Sequence, residues 1–197
     1  MRGSRRAALV GFLLLGTVLL GLSFGIEPGS TWFYPSALAL AATWAVGAFA
    51  SGPVVLGERS VVRPLLVGVL LAGVFVLGAV VLRELSVLED QVSAVTAYAD
   101  RGSGPLIVAV TLVTGAAEEL FFRGSVYAAI PRYPVAGSTL VYAVVTIATG
   151  NVALVAAAVV LGLVVGLERR SSGGVLAPAI THVTWSLVML LVLPQLF

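Results

Sequence analysis

Long apolar stretches recur along this chain of 197 residues, and they constrain its fold more than any other feature. An α-helix needs about 20 apolar residues to cross the hydrocarbon core of a bilayer. The chain is 59% apolar and only 10% charged, whereas roughly 25% of the residues of a soluble domain are charged. The sequence therefore predicts an all-α, polytopic transmembrane helical bundle with about seven spans. The predicted spans cover residues 7–25, 33–51, 65–82, 105–130, 135–150, 152–167 and 175–193.

Two features refine this architecture. Residues 65–82 are apolar on every face, whereas the strands of a transmembrane barrel alternate apolar and polar positions. Helices are therefore favoured over a barrel. The sixth predicted span, 152–167, is short and is expected to be tilted or partly re-entrant.

The basic residues, which are all Arg, mark the topology. Most of them lie at alternate ends of the predicted spans, namely Arg2, Arg5, Arg6, Arg59, Arg63, Arg132, Arg169 and Arg170. The positive-inside rule places these ends in the cytoplasm. We therefore expect a multi-pass protein of the cell membrane with a cytoplasmic N-terminus and an external C-terminus. The arginines form no nucleic-acid patch, and the absence of cysteine excludes thiolate chemistry.

The chain divides into two parts by the position of its ionisable residues. Residues 1–104 are predicted to hold N-terminal transmembrane helices and an external connection, with no ionisable group inside a span. Residues 105–197 hold every intramembrane ionisable group, so function is expected there. The connection from Leu85 to Gly104 has apolar residues at helical spacing, which fits an amphipathic surface helix or a partly helical loop.

Two adjacent acids, Glu118 and Glu119, lie inside the fourth predicted span. A carboxylate at the middle of a membrane costs at least ~2.5 kcal/mol, so two of them require a reason. Glu119 and Arg123 are four residues apart and can pair on one helix face. Glu118 points about 100° round the axis and lacks that partner, which suits a general base. The alternative is an ion-paired packing device that only orients the helix.

His182, the single histidine, lies in the last span at a depth compatible with that of Glu118. A lone histidine in a helix is more often a hydrogen-bonded interior residue than a catalyst. A short polar segment between the fifth and sixth predicted spans ends at Asn151. Its Gly-Asn sequence fits a turn as well as it fits a part of a functional site. If the three belong to one site, we expect Glu118, Asn151 and His182 to converge on a cavity that water can reach.

These motifs resemble the CAAX prenyl protease and bacteriocin-processing family (CPBP, or Abi-type) of intramembrane proteases. The family motif E-E-x-x-x-R matches Glu118, Glu119 and Arg123, and the H-x-x-x-N motif matches His182 with Ser186 in place of Asn. The F-x-x-x-H motif is assigned to residues 147–151, with Asn151 in place of His. The resemblance makes residues 105–197 the catalytic-core helices.

The resemblance implies an intramembrane endopeptidase that hydrolyses a peptide bond of a membrane-associated peptide or protein. In this assignment Glu118 activates water, Glu119 and Arg123 form an orienting ion pair, and Asn151 fills the second-motif position. His182 and Ser186 donate to the oxyanion. A divalent metal, zinc, is implied at Glu118 and His182, with a metal-free site as the alternative. The competing functions are a catalytically weakened binding, immunity or regulatory protein and a proton-coupled transporter that uses Glu118.

Overall fold

The computed structural model describes residues 3–82 and 86–196, and the described residues form helices and connecting loops without a β-strand. The helices are α1 (Gly3–Phe24), α2 (Phe33–Ser51), α3 (Val62–Leu82), α4 (Ser86–Arg101), α5 (Gly104–Ala129), α6 (Pro134–Thr146), α7 (Val152–Ser172) and α8 (Leu176–Val192). Short 3₁₀ turns, Ile147–Thr149 and Leu193–Gln195, extend α6 and α8.

Within the described residues, six helices are long and apolar enough to cross a membrane, and α6 with its 3₁₀ turn is a shorter apolar helix. The predicted bundle of about seven spans is therefore confirmed. The prediction of a short sixth span is wrong, because α7 continues through the charged residues Glu168, Arg169 and Arg170 to Ser172. The shortest span is α6, which begins at Pro134.

Because successive membrane-crossing helices run in opposite directions, the connecting loops lie at two ends of the bundle. At one end, backbone N–H groups of Val175 and Leu176 donate to the carbonyls of Val55 and Leu56 at 2.9 and 3.1 Å, joining the α2–α3 and α7–α8 loops. We call this the arginine-rich end, because Arg59, Arg63, Arg132, Arg169 and Arg170 lie in or beside its loops. The opposite end comprises residues 24–33, 102–103 and 150–151.

Helix α4 bridges two sides of the opposite end. The Tyr98 hydroxyl lies 2.9 and 2.8 Å from the carbonyl oxygens of Phe24 and Ile26, and the Gln91 side chain accepts from the Val152 N–H at 2.9 Å. Burial raises the pKa of Tyr98 above its ordinary value. The interpretation of residues 85–104 as a helix is thus confirmed for Ser86–Arg101, and Leu85 lies outside the described residues.

Aromatic side chains form the centre of the bundle. Trp44 of α2 packs against Phe121 and Phe122 of α5, with ring centroids 4.8 and 5.1 Å apart, and all three are almost completely buried. Small residues let the helices approach closely around them. A Cβ atom on Gly162 would lie 2.9 Å from the Thr139 side chain, so the glycine is required for the packing of α7 on α6.

Candidate active site

A cavity of about 260 Å³ lies inside the bundle, between α1, α2, α5, α6, α7 and α8. Its walls are mainly apolar. Polar groups come chiefly from α5, α6 and α8, and they include Glu118, Tyr142, Thr146, His182 and Ser186. Helices from both predicted parts of the chain line this cavity, so residues before 105 supply part of its wall. An apolar cavity with a few convergent polar groups is the usual form of a binding or catalytic site.

Glu119 and Arg123 form a fully buried ion pair behind the cavity. The Arg123 Nη1 atom donates to Glu119 Oε1 at 3.0 Å, and neither side chain has exposed surface. Arg123 lies in a π-helical stretch, Leu120–Val126, that begins directly after Glu119. Such π-helical turns within α-helices occur frequently at functional sites. The predicted pairing of these two residues is confirmed.

His182 lies between the two glutamates. Its Nδ1 atom is 2.7 Å from Glu119 Oε1, and its Nε2 atom is 3.9 Å from Glu118 Oε2. The contact with Glu119 is a short hydrogen bond, whereas the separation from Glu118 is too long for a direct hydrogen bond. One water molecule can bridge two polar atoms at such a separation. The structure therefore brings Glu118 and His182 together at the cavity wall, with Glu119 fixing the imidazole from behind.

Glu118 has a hydrogen-bond partner that the sequence analysis missed. The Tyr142 hydroxyl of α6 donates to Glu118 Oε2 at 2.7 Å. The Tyr142 ring also lies under the Arg123 guanidinium, 4.8 Å from the ring centroid to Cζ. The prediction that Glu118 pairs with no cation of its own helix holds, but its carboxylate is oriented by a neighbouring helix.

Asn151 is not among the residues that line the cavity. Its side chain caps α7, where Oδ1 accepts from the Leu154 N–H at 3.0 Å and Nδ2 donates to the Gln91 carbonyl at 2.7 Å. The expected convergence therefore includes Glu118 and His182 but not Asn151. The physical reason is local: an Asn directly before a helix satisfies the free N–H groups of its first turn.

The polar residues of Pro134–Thr146 that line the cavity are Tyr142 and Thr146. They are four residues apart, which is the spacing of F-x-x-x-H, and Thr146 is almost fully buried beside the Glu118 partner Tyr142. The structure thus favours Tyr142 and Thr146 over residues 147–151 as the counterpart of that motif. The sequence feature that could have identified Tyr142 and Thr146 is their four-residue spacing in the span that follows the two glutamates.

The capping role of Asn151 gives a first prediction. Asn151→Ala removes the side-chain acceptor at the start of α7, and we expect it to lower the free energy of unfolding by about 1 kcal/mol. Asn151→Ser keeps an N-cap acceptor for the Leu154 N–H without placing a second oxygen against the Gln91 carbonyl, and it should retain most of that stability. Thermal unfolding of the detergent-solubilised variants measures the difference, and equal losses in both variants would contradict a capping role.

The donor set does not fit a catalytic zinc ion, which normally has three protein ligands and an open position. Glu118 and Glu119 contact opposite nitrogens of the His182 ring, and these nitrogens point in diverging directions. The three side chains therefore cannot bind one ion together. Among residues 3–82 and 86–196, no group of three or more His, Asp or Glu side chains is placed to hold a metal.

Comparison with known proteins supports the family assignment made from the motifs. Residues 101–188 match the family model described as Rce1-like, type II CAAX prenyl endopeptidase Rce1-like. The matched range includes Glu118, Glu119, Arg123 and His182, and it also spans Tyr142 and Thr146. No curated protein and no solved structure matches the chain. The resemblance to the CAAX protease family is thereby confirmed for this region.

Proposed function

We propose that the protein is an intramembrane endopeptidase that hydrolyses a peptide bond of a membrane-associated peptide or protein. The observation that carries the proposal is the arrangement of Glu118 and His182 on one cavity wall, 3.9 Å apart and each held by a separate partner. Peptide hydrolysis needs a base for water and donors for the oxyanion. Both are available at this wall.

Glu118 is the proposed general base. A water molecule bound between Glu118 Oε2 and His182 Nε2 gives a proton to the carboxylate, and its oxygen attacks the carbonyl carbon of the scissile bond. The Tyr142 hydroxyl holds the carboxylate in one orientation through its 2.7 Å hydrogen bond. Glu118 then returns the proton to the leaving nitrogen as the C–N bond breaks.

His182 is the proposed donor to the oxyanion. Two carboxylates and one guanidinium leave one negative charge in the cluster, and a protonated His182 ring balances it, as buried charges require. In that form both ring nitrogens donate, Nδ1 to Glu119 and Nε2 toward the cavity. Ser186, one helical turn beyond His182, lines the same cavity and offers a second donor.

Glu119 and Arg123 are positioning residues in this mechanism. Glu119 accepts from His182 Nδ1 and from Arg123 on the same oxygen, Oε1. A carboxylate that accepts from one ring nitrogen in this way fixes the orientation of the ring, as in serine hydrolases. Arg123 holds the Glu119 side chain in place through its 3.0 Å hydrogen bond, so the pair acts on the reaction only through His182.

The experiment is cleavage of a membrane-tethered peptide library by purified protein in lipid, with and without a chelator. We expect defined cleavage products, identified by mass spectrometry, and no loss of rate with the chelator. If the parent protein cleaves no member of a broad library, the peptidase proposal fails. Loss of activity with the chelator and its return with zinc would overturn the metal-free mechanism alone.

A second candidate function is a membrane binding, immunity or regulatory protein that retains the cavity without catalysis. It is favoured by Thr146, which has the F-x-x-x-H spacing from Tyr142 and lines the cavity without an imidazole. A threonine hydroxyl cannot exchange a proton near neutral pH as imidazole can. A binding protein should capture peptides from the library in uncleaved form, which separates the two functions.

The Tyr142 hydroxyl gives a second prediction. Tyr142→Phe removes the hydrogen bond to Glu118 with almost no change of volume, and a hydrogen bond to a charged group contributes ~1.5 to 3 kcal/mol. We expect cleavage to slow by about ten-fold or more, measured as the initial rate at saturating peptide. Tyr133→Phe is the matched control, because Tyr133 is exposed at the arginine-rich end. An unchanged rate for Tyr142→Phe would show that Glu118 needs no orientation by α6.

A further inference from the structure

The cavity reaches only one end of the bundle. Its lining residues come from the C-terminal parts of α1 and α6 and from the N-terminal parts of α2 and α7, and these parts all point to the end opposite the arginine-rich end. Lining residues nearest that end are half-buried and form a rim, namely Phe24, Phe33, Thr149 and Leu154. Among the described residues, those in the loops of the arginine-rich end do not contribute to the lining.

Toward the arginine-rich end the cavity is closed by packed side chains. Trp44 and Phe122 line its inner end, and each has at most 1% of its surface exposed. Behind them lie Phe121 and the Glu119–Arg123 pair, which have no exposed surface. Further out, Arg169 Nε donates to the Arg123 carbonyl at 2.8 Å. The described residues 3–82 and 86–196 therefore leave a peptide no path to Glu118 from this side.

We infer that the substrate peptide reaches Glu118 from the non-cytoplasmic side of the membrane, as an extended segment. This inference rests on the proposed function. The arginine-rich end is cytoplasmic by the positive-inside rule, so the rim of the cavity faces outward. The substrate class is accordingly a membrane-anchored protein or peptide whose cleaved segment lies outside the cytoplasm.

The depth of Glu118 determines the length of the segment. Glu118 lies fourteen residues beyond Gly104, the first residue of α5, which is roughly 20 Å at ~1.5 Å per residue. An extended chain advances ~3.3 Å per residue. About six residues are therefore needed between the rim and the scissile bond, and a folded domain closer than that is excluded.

Helix α4 lies across this route. Tyr98 packs on the rim residues Phe24 and Phe33, with ring centroids 5.7 and 4.8 Å apart, while Gln91 bonds to Asn151 and Val152 on the other side of the rim. These contacts of α4 with both sides of the rim narrow the opening, which disfavours a folded substrate and leaves an extended chain as the segment that enters. The position of α4 therefore favours unstructured segments next to a membrane anchor.

The side of access can be measured directly because the chain has no cysteine. Three variants each carry one cysteine. Thr149→Cys lies at the rim, Val152→Cys replaces an exposed residue at the end opposite the arginine-rich end, and Ser171→Cys lies at the arginine-rich end. Intact cells are then treated with a membrane-impermeant maleimide. We expect the first two variants to be labelled at once and Ser171→Cys only after permeabilisation. The reverse pattern would overturn the inference, whether or not any peptide is cleaved.

Paired substrates then test the peptide itself. Two proteins carry the same membrane anchor and the same cleavable segment, placed outside in one and in the cytoplasm in the other. We expect cleavage of the first only, and its loss when a folded domain is moved to within about six residues of the bond. Cleavage of the cytoplasmic form would overturn the inference. Cleavage of neither form would contradict the proposed peptidase, while the labelling result still decides the side.

Discussion

Replacement of Glu118 by Gln is expected to abolish peptide cleavage while the protein folds as before. The carboxylate is the acceptor for the proton of the attacking water in the proposed mechanism, and an amide cannot take that proton. A general base commonly contributes about 10²- to 10⁴-fold to the rate. The described part of the chain provides no substitute on this wall, since Glu119 is fully buried and engaged with Arg123 and His182.

The fold should tolerate this change for a geometric reason. The amide oxygen of Gln can still accept from the Tyr142 hydroxyl, which lies 2.7 Å from Glu118 Oε2. The substitution also removes a charge that has no ion-pair partner within the helix. We therefore expect an unfolding temperature close to that of the parent and retention of peptide binding.

The measurement is the initial cleavage rate in lipid for the parent, Glu118→Gln and Glu27→Gln. Glu27 is the matched control, because it is an exposed acid in the loop between α1 and α2. Its replacement should leave the rate unchanged. Cleavage by Glu118→Gln at more than about a tenth of the parent rate would refute Glu118 as the base and would direct attention to His182.

The helices of this protein follow from the sequence because apolar length alone decides whether a segment can span a membrane. The predicted second span, 33–51, coincides with Phe33–Ser51, and the other spans differ by a few residues at their ends. The main error is the end of the sixth. The charges of Glu168, Arg169 and Arg170 predict that the helix ends before them, but Glu168 is buried near Arg63 and the helix continues to Ser172.

The site was predictable where its contacts are local. Glu119 and Arg123 pair because they are four residues apart on one helix, and the depths of Glu118 and His182 follow from helical rise. The contact from Tyr142 was not predictable in this way. It depends on how α6 packs against α5, and a tyrosine in an apolar span is interpreted as part of the core without that knowledge.

Asn151 shows the opposite error. A polar amide in an apolar region suggests a catalytic role. Asn151 lies directly before α7, however, and its side chain caps that helix, which requires no catalytic function. The spacing of the second motif fits both residues 147–151 and residues 142–146, and spacing alone could not choose between them. Only the tertiary structure shows that Thr146 lies at the cavity and that Asn151 bonds to Gln91 instead.

The largest loss of stability is expected from Arg123→Ala. The substitution leaves Glu119 fully buried with its guanidinium partner removed, and breaking a buried ion pair in this way costs ~3 to 5 kcal/mol. It also removes the guanidinium that lies 4.8 Å over the Tyr142 ring. We expect a strongly reduced folded yield and a markedly lower unfolding temperature in detergent. Arg132→Ala, which removes an exposed arginine of the loop after α5, is the control and should melt like the parent.

A double-mutant cycle separates the pair from general packing, because it isolates the coupling between two contacting residues. Glu119→Gln removes the buried charge, so Arg123→Ala in that background should cost much less than Arg123→Ala alone. The readout is the free energy of unfolding of the parent, both single variants and the double variant in the same detergent. Equal costs of Arg123→Ala in the two backgrounds would mean that Arg123 stabilises the bundle by its volume alone. In that case Glu119 would orient His182 without help from the guanidinium.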